Sequence, residues 1–297
     1  MELIGIVTAI NSSDGVYNLI VSDKDKNIMN LKISAEEGKK IKIGRAYCFK
    51  YDAVEGTERT SYKVTSYNDI ENLALEEKDK SLRMFYKSSP LDIKTAKAEI
   101  ESYVNKIENK IIKDITKYLL ELNNDKYYTY PAASKMHHAY VGGLAYHSIG
   151  MLHMSDGFIN NYDYLNKDYI YAGIILHDIG KAIELSGVVS TEYTVKGQLL
   201  GHLVIGAMDI SNAANHLGYA NTEEAMILEH MLISHHGVPQ FGSPKKPLTA
   251  EALVLWYIDT IDSKFRVLGE ELAKINEGEF TESIGVLDKS KIYKAKK

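Results

Sequence analysis

A single cysteine, Cys48, stands among the 297 residues of this chain, so no intramolecular disulfide braces the fold. It sits in an apolar, alternating stretch, where a buried and inert thiol is expected. Long hydrophobic runs are missing as well. Stretches such as Ala172-Gly173-Ile174-Ile175-Leu176 are far too short to span a bilayer, and no membrane association is expected. The opening Met1–Thr8 has neither the basic n-region nor the long apolar core of a signal peptide, which places the protein in the cytoplasm. Positive charge is in deficit: the formal net charge is −5. Residues 1–70 hold ten Lys/Arg and ten Asp/Glu, so the remainder carries the whole −5. A basic face is the usual footprint of a polynucleotide binder, and composition supplies none. Bound divalent cations would add positive charge that this count omits. The chain also has no Walker loop, no Ser/His/Asp or Cys nucleophile constellation, no low-complexity segment and no internal repeat.

What is present suits a globular protein with one small and one larger domain: 45% hydrophobic and 25% charged residues. The chain changes character near residue 70. Before it, Leu3–Ile10, Val16–Val21, Ile28–Ile33, Ala46–Tyr51 and Ser61–Ser66 alternate apolar and polar residues at period two, as strands do. Turn chemistry such as Asn11-Ser12-Ser13-Asp14-Gly15 separates them. Five short antiparallel strands in residues 1–70 indicate a small all-β barrel of OB-like form. Tyr47, Phe49 and Tyr51 share one face of their strand, either as a stacking platform for nucleic-acid bases or as core packing.

Residues 71–90 are charged and read as a linker. Ser89-Pro90 then offers an N-cap and a first-turn proline. Ile93, Ala96, Ile100, Val104, Ile107, Ile111, Ile115, Tyr118 and Leu122 follow at three- and four-residue steps, the stripe of one long amphipathic helix. Only helices are expected to about residue 275, giving an all-α domain over 91–275 and a C-terminal tail over 276–297.

This helical part carries the chemistry. His177-Asp178 is an adjacent nitrogen and carboxylate pair at the end of an apolar helix, where Gly180 lets the backbone turn out. His147 lies on the core face of an earlier helix and His202 on the apolar face of a later one. His235-His236 close another helix just before Gly237. Asp259 sits among Leu253, Leu255, Trp256 and Ile258, where a carboxylate is expensive to bury unless paired or metal-bound. Asp262, one turn on, competes with it, as a partner of Lys264 or Arg266 or as an acceptor for a ligating histidine. Such a set can hold two metal ions, and a dinuclear site is suited to cleaving phosphate esters. Mixed nitrogen and oxygen ligation admits Mn²⁺, foremost, and Fe²⁺, Co²⁺ or Zn²⁺. Lys181, one turn beyond the dyad, is a candidate to neutralise a phosphate oxygen. His137 and His138, ahead of Gly142-Gly143, and Lys245 and Lys246, between Pro244 and Pro247, are candidates for substrate contacts. His153, His216 and His230 are placed outside the site by helical geometry.

The order His147, His177-Asp178, Asp259 resembles the HD-domain metal-dependent phosphohydrolases, and the additional His202 and His235-His236 resemble members with two metal ions. More specifically, the run from His137 to His147, the run from Ser234 to Pro247 with its Gly-Ser-Pro turn, and Thr249–Asp259 are similar to the YhaM-type 3′–5′ exoribonuclease family. That resemblance implies an N-terminal OB-fold followed by an HD domain, and a metal-dependent 3′–5′ exonuclease acting on single-stranded RNA or DNA. It implies one ion on His147, His177, Asp178 and Asp259, and another that shares Asp178 as a bridge and takes His202, His235 and His236, or one of the last two. A homo-oligomer is a separate expectation. Two other readings stay open: an HD-type nucleotide or cyclic-dinucleotide phosphohydrolase, and a non-catalytic nucleic-acid binder with structural metals.

Overall fold

Period-two alternation at the start of the chain produces five strands: β1 Glu2–Ser13, β2 Val16–Ser22, β3 Ile28–Ser34, β4 Ala46–Val54 and β5 Ser61–Asp69. In the computed structural model, which describes residues 1–13, 15–55, 61–132, 140–189 and 191–296, they form a closed barrel in the order β1-β2-β3-β5-β4. Pairing of β4 with β1 completes the closure, from Glu2↔Lys50 to Ile6↔Ala46. The strands pair antiparallel except β3 and β5, which run parallel at Leu31↔Tyr62 and Lys32↔Lys63. A register shift between Val7 and Ala9 bends β1, the device that closed small barrels use. The short helix α1, Ala35–Gly38, connects β3 to β4 and is capped by the Ser34 hydroxyl. A Cβ at Gly38 would lie 2.5 Å from the Tyr17 ring, so only glycine lets α1 seat there. The all-β, OB-like expectation holds, and the chain beyond it is helical.

The barrel decides between the two readings of Tyr47, Phe49 and Tyr51. All three side chains point inward, with exposures of 3%, 1% and 6%. They join Val7, Leu19, Val21, Leu31 and Ile33 in the core. Closure puts alternate residues of each strand inside, and in a barrel this small the interior is filled by side chains. No ring face is left for a base, so the stacking platform is corrected to core packing.

The chain divides into two compact units, Met1–Ser88 with Val188–Ser190, and Ser89–Gly187 with Thr191–Lys297. The first unit therefore includes residues that read as linker. Helix α2, Leu75–Phe85, occupies most of 71–90; Leu82 is fully buried, and Tyr86 just beyond donates to the Gly44 carbonyl at 3.2 Å.

The second unit holds α3 Ile93–Lys106, α4 Lys110–Leu122, α5 Asn124–Thr129, α6 Gly143–Asn161, α7 Lys167–Leu176, α8 Lys181–Glu184, α9 Val195–Leu217, α10 Glu223–Ser234 and α11 Ala250–Leu272. Side-chain caps start most of the longer ones. Asp92, Asn109, Asn166, Thr194, Thr222 and Thr249 each accept a backbone N–H of the first turn. Each such cap contributes about 1 kcal/mol.

Two local expectations are corrected here. The helix does not start on Ser89-Pro90, because the Ser89 hydroxyl donates to the Leu91 carbonyl and Asp92 is the cap. The single long stripe is two helices, since Ile107 takes extended backbone angles. Asp168 accepts the N–H groups of Glu108 and Asn109 at 3.1 and 2.7 Å, and Asn109 caps α4. The apolar spacing runs through the break undisturbed; a carboxylate some sixty residues away makes it.

Residues 276–296 fold back on the second unit. Phe280 bridges to Tyr293 and Ile284 to Ser290, with Ile284 and Thr281 buried. Lys294 donates to the Leu272 and Ile275 carbonyls, both at 2.8 Å, at the C-terminal end of α11. Among the described residues no helix is long and apolar enough to cross a membrane. Phe49→Ala empties the centre of the barrel and is expected to lower stability by about 3–5 kcal/mol. Urea unfolding followed by circular dichroism measures it, and an effect under about 1 kcal/mol would contradict the interior placement.

Candidate metal centre

Helix ends and one helix break bring the ligand candidates together. His177 is the C-cap of α7, and Asp178 follows it. The turn then passes Gly180, where a Cβ would lie 2.3 Å from the His202 carbonyl; the missing side chain lets α9 pack against this turn. Helix α9 is interrupted at Gly201, with φ 69° and ψ 159°, a region essentially reserved for glycine, and His202 opens the stretch beyond it. His235 is the C-cap of α10. Gly237, at φ +80°, ends the turn after His236, and a Cβ there would sit 1.9 Å from the Trp256 ring. His147 comes from α6, and Asp259 and Asp262 from α11, which packs against α6.

Two trios result. The ligand atoms of His147, His177 and Asp259 lie within 4.8 Å of one another, as do those of His202, His235 and His236. Asp178 stands between them. Its Oδ2 is 3.2 Å from His177 Nε2, while its Oδ1 is 3.3 Å from His202 Nε2 and 3.8 Å from His235 Nε2. One carboxylate presents one oxygen to each trio.

The other nitrogen of four of the rings is tied to an acceptor. His177 Nδ1 donates to the Ile174 carbonyl and His235 Nδ1 to the Leu232 carbonyl, each at 2.7 Å. His147 Nδ1 meets Asp262 Oδ2 at 2.7 Å, and His202 Nδ1 meets Glu184 Oε2 at 3.0 Å. These acceptors hold a proton on Nδ1 and turn Nε2 inward. His177 Nε2, Asp178 Oδ1, His202 Nε2 and His235 Nε2 are then buried without a hydrogen-bond partner. A buried orphan costs about 1–3 kcal/mol, so this convergence of imidazole nitrogens and carboxylate oxygens fits divalent cations.

Electrostatics agrees with that fit. Burial alone would push the Asp178 carboxyl up, but Lys181, His177 and His202 hold it well below the usual range. Burial likewise opposes ionisation of Asp259, and His147, His177 and His235 outweigh it. Burial, His236 and His177 push His235 well down, so its Nε2 lone pair is free. Burial would lower His147 too, but Asp259 and Asp262 on its two nitrogens raise it to about 9.

The other candidates are placed less uniformly. Lys181 Nζ donates to Asp178 Oδ2 at 2.6 Å, beside the shared carboxylate. Lys245 and Lys246 are exposed on the loop after Ser243, whose buried hydroxyl accepts the His236 N–H at 3.1 Å. His137 and His138 lie outside the described residues. His153 contacts Glu99, His216 stacks on Tyr118, and His230 accepts the Leu248 N–H, all away from the trios. Asp262 meets both His147 and, at 3.3 Å, Arg266 Nε. Glu184, three positions after Lys181, also reaches the site, and no spacing rule in the sequence links it to His202.

Residues 144–264 match the HD domain. The matched stretch lies within the helical unit. Both trios, Asp178, Glu184 and Asp262 fall within the matched residues, and an HD domain implies use of a divalent metal. Over 210 residues, 71% of its length, the chain is 45% identical to the 3′-5′ exoribonuclease YhaM of Geobacillus sp. (strain WCH70). The matched stretch spans 64% of that relative, somewhat under two thirds.

The raised pKa of His147 sets a pH dependence for metal binding at this site. Below about 9 the ring is protonated, so a cation at Nε2 must displace a proton. Metal affinity is expected to rise about tenfold per pH unit up to that value and then level off. Calorimetric Mn²⁺ titrations at pH 7.5, in buffers of different ionisation enthalpy, should report about one proton released per protein from this ring. No release would show that His147 is neutral beforehand.

Proposed function

We propose that this protein is a metal-dependent 3′–5′ exoribonuclease that hydrolyses the phosphodiester bonds of single-stranded RNA at a dinuclear HD site. The observation that carries the reading is Asp178, with one oxygen turned to each trio. The similarity to YhaM supports the substrate class and polarity. His147, His177, Asp178 and Asp259 would hold one ion, and Asp178, His202, His235 and His236 the other. Bound there, the ions supply Lewis acidity toward a phosphodiester and lower the pKa of water into the neutral range.

The protein's own groups do the rest. The acceptors behind the histidines keep the donor atoms aimed before substrate arrives, so little reorganisation is needed. Asp178 stays ionised in a buried position, which lets a single charge serve both ions. Lys181, on the Oδ2 edge of Asp178, adds positive charge where a phosphate oxygen would lie. DNA is a second polymer that the same chemistry would accept. The charge-balanced barrel sequence and its buried aromatic rings favour one competing reading, an HD-type nucleotide or cyclic-dinucleotide phosphohydrolase.

Incubation of the protein with 5′-labelled single-stranded RNA and DNA, a nucleoside triphosphate and a cyclic dinucleotide, each with Mn²⁺, Co²⁺ or Zn²⁺, separates the readings. A ladder shortening from the 3′ end is expected on RNA; turnover of the small nucleotides alone would reject the nuclease. Asp178→Ala should lower kcat/KM by roughly 10³-fold or more, about 4 kcal/mol of transition-state stabilisation, with the fold intact by circular dichroism. Near-normal Mn²⁺-dependent cleavage by this variant would defeat the dinuclear mechanism.

A further inference from the structure

The two trios differ in the ligands they offer. His147 and His177 share theirs with Asp259, whereas His202, His235 and His236 are three imidazoles with no carboxylate among them. Asp178 is common to both, so the second trio has no carboxylate of its own. Glu184 contacts it from behind. Its side chain is buried, Oε1 accepts the His202 backbone N–H at 3.1 Å, and Oε2 lies 3.0 Å from His202 Nδ1. The fold holds Glu184 in that place. The Thr194 N–H donates to the Glu184 carbonyl, and the Thr194 hydroxyl to that of Ile183. A Cβ on Gly197 would come within 2.4 Å of the Glu184 carbonyl oxygen and 2.9 Å of its Cγ, so α9 passes directly over this residue. The break at Gly201 then delivers the His202 N–H and ring to the same carboxylate.

We propose that Glu184 is the positioning residue of the second metal, supplying through His202 the negative charge that its three histidines lack. The inference rests on the dinuclear reading above. Asp262 stands in the matching place behind His147, but there Asp259 already provides a charged ligand and Arg266 shares the Asp262 carboxylate. A charge next to a ligating imidazole strengthens it as a donor, and loss of such a partner typically weakens metal binding 10- to 100-fold. Glu184 therefore governs the ion held by His202, His235 and His236 and leaves the other nearly untouched.

Calorimetric titration of the full-length, metal-stripped protein with Mn²⁺, and separately with Co²⁺ followed by its visible absorption, tests this without reference to activity. The wild type is expected to bind two ions. Glu184→Gln should bind one with affinity within about twofold of wild type and the other at least tenfold more weakly, with loss of the matching Co²⁺ band. Asp262→Asn should weaken the other ion instead. A wild type that binds one ion defeats the dinuclear reading itself. Two ions in the wild type, with Glu184→Gln either unchanged or weakened equally at both, would overturn the role of Glu184. Should Glu184→Gln melt well below wild type, Glu184→Asp is titrated in its place: it keeps the charge but retracts it, and binding unchanged from wild type or weakened equally at both ions would again overturn the proposal.

Discussion

A buried carboxylate facing inward-turned imidazoles is the constraint on which the helical unit is organised. Asp178 is 3% exposed, and on its own it would be driven to protonate. Lys181, His177 and His202 keep it ionised, and Asp259 and His147 do the same for each other a few ångströms away. Several of the inward atoms nevertheless lack hydrogen-bond partners. An arrangement this costly in the absence of cations persists only because the surrounding scaffold over-determines each ring.

That scaffold works through helix ends. His177 and His235 are both C-caps, and each gives its Nδ1 proton to the carbonyl three residues back, of Ile174 and Leu232. A last-turn carbonyl without an intrahelical donor is thereby satisfied by the same contact that aims the ligand. His147 lies inside α6 and His202 opens the stretch of α9 beyond the Gly201 break, and these two rings are oriented by Asp262 and Glu184 instead. Two kinds of acceptor follow from two kinds of position. The carboxylate kind also carries charge, and so tunes the ring it holds.

The barrel contributes by a different logic. Tyr47, Phe49 and Tyr51 are spent on its own interior, and its sequence carries equal numbers of acidic and basic residues. A polymer substrate would have to be held there by local groups rather than by a broad positive field. Around the proposed site, bound cations would supply positive charge in a chain whose net charge is −5.

Much of this was legible in one dimension. Alternation gave all five strands to within a few residues, because a period of two survives any tertiary context. The order His147, His177-Asp178, His202, His235-His236, Asp259 exposed the ligand candidates, because a histidine or carboxylate on an apolar helix face has few other reasons to be there. The sequence by itself thus determined the two-part architecture and the candidate ligands. Only the tertiary structure decided how those parts are used. Burial turned Tyr47, Phe49 and Tyr51 inward, since closure and not alternation says which face is inside. Asp168 broke a helix whose apolar stripe runs on unbroken. Glu184 became the partner of His202 because Gly180, Gly197 and Gly201 let three backbone segments approach more closely than any side chain would allow, and that proximity has no signature in the spacing of residues along the chain.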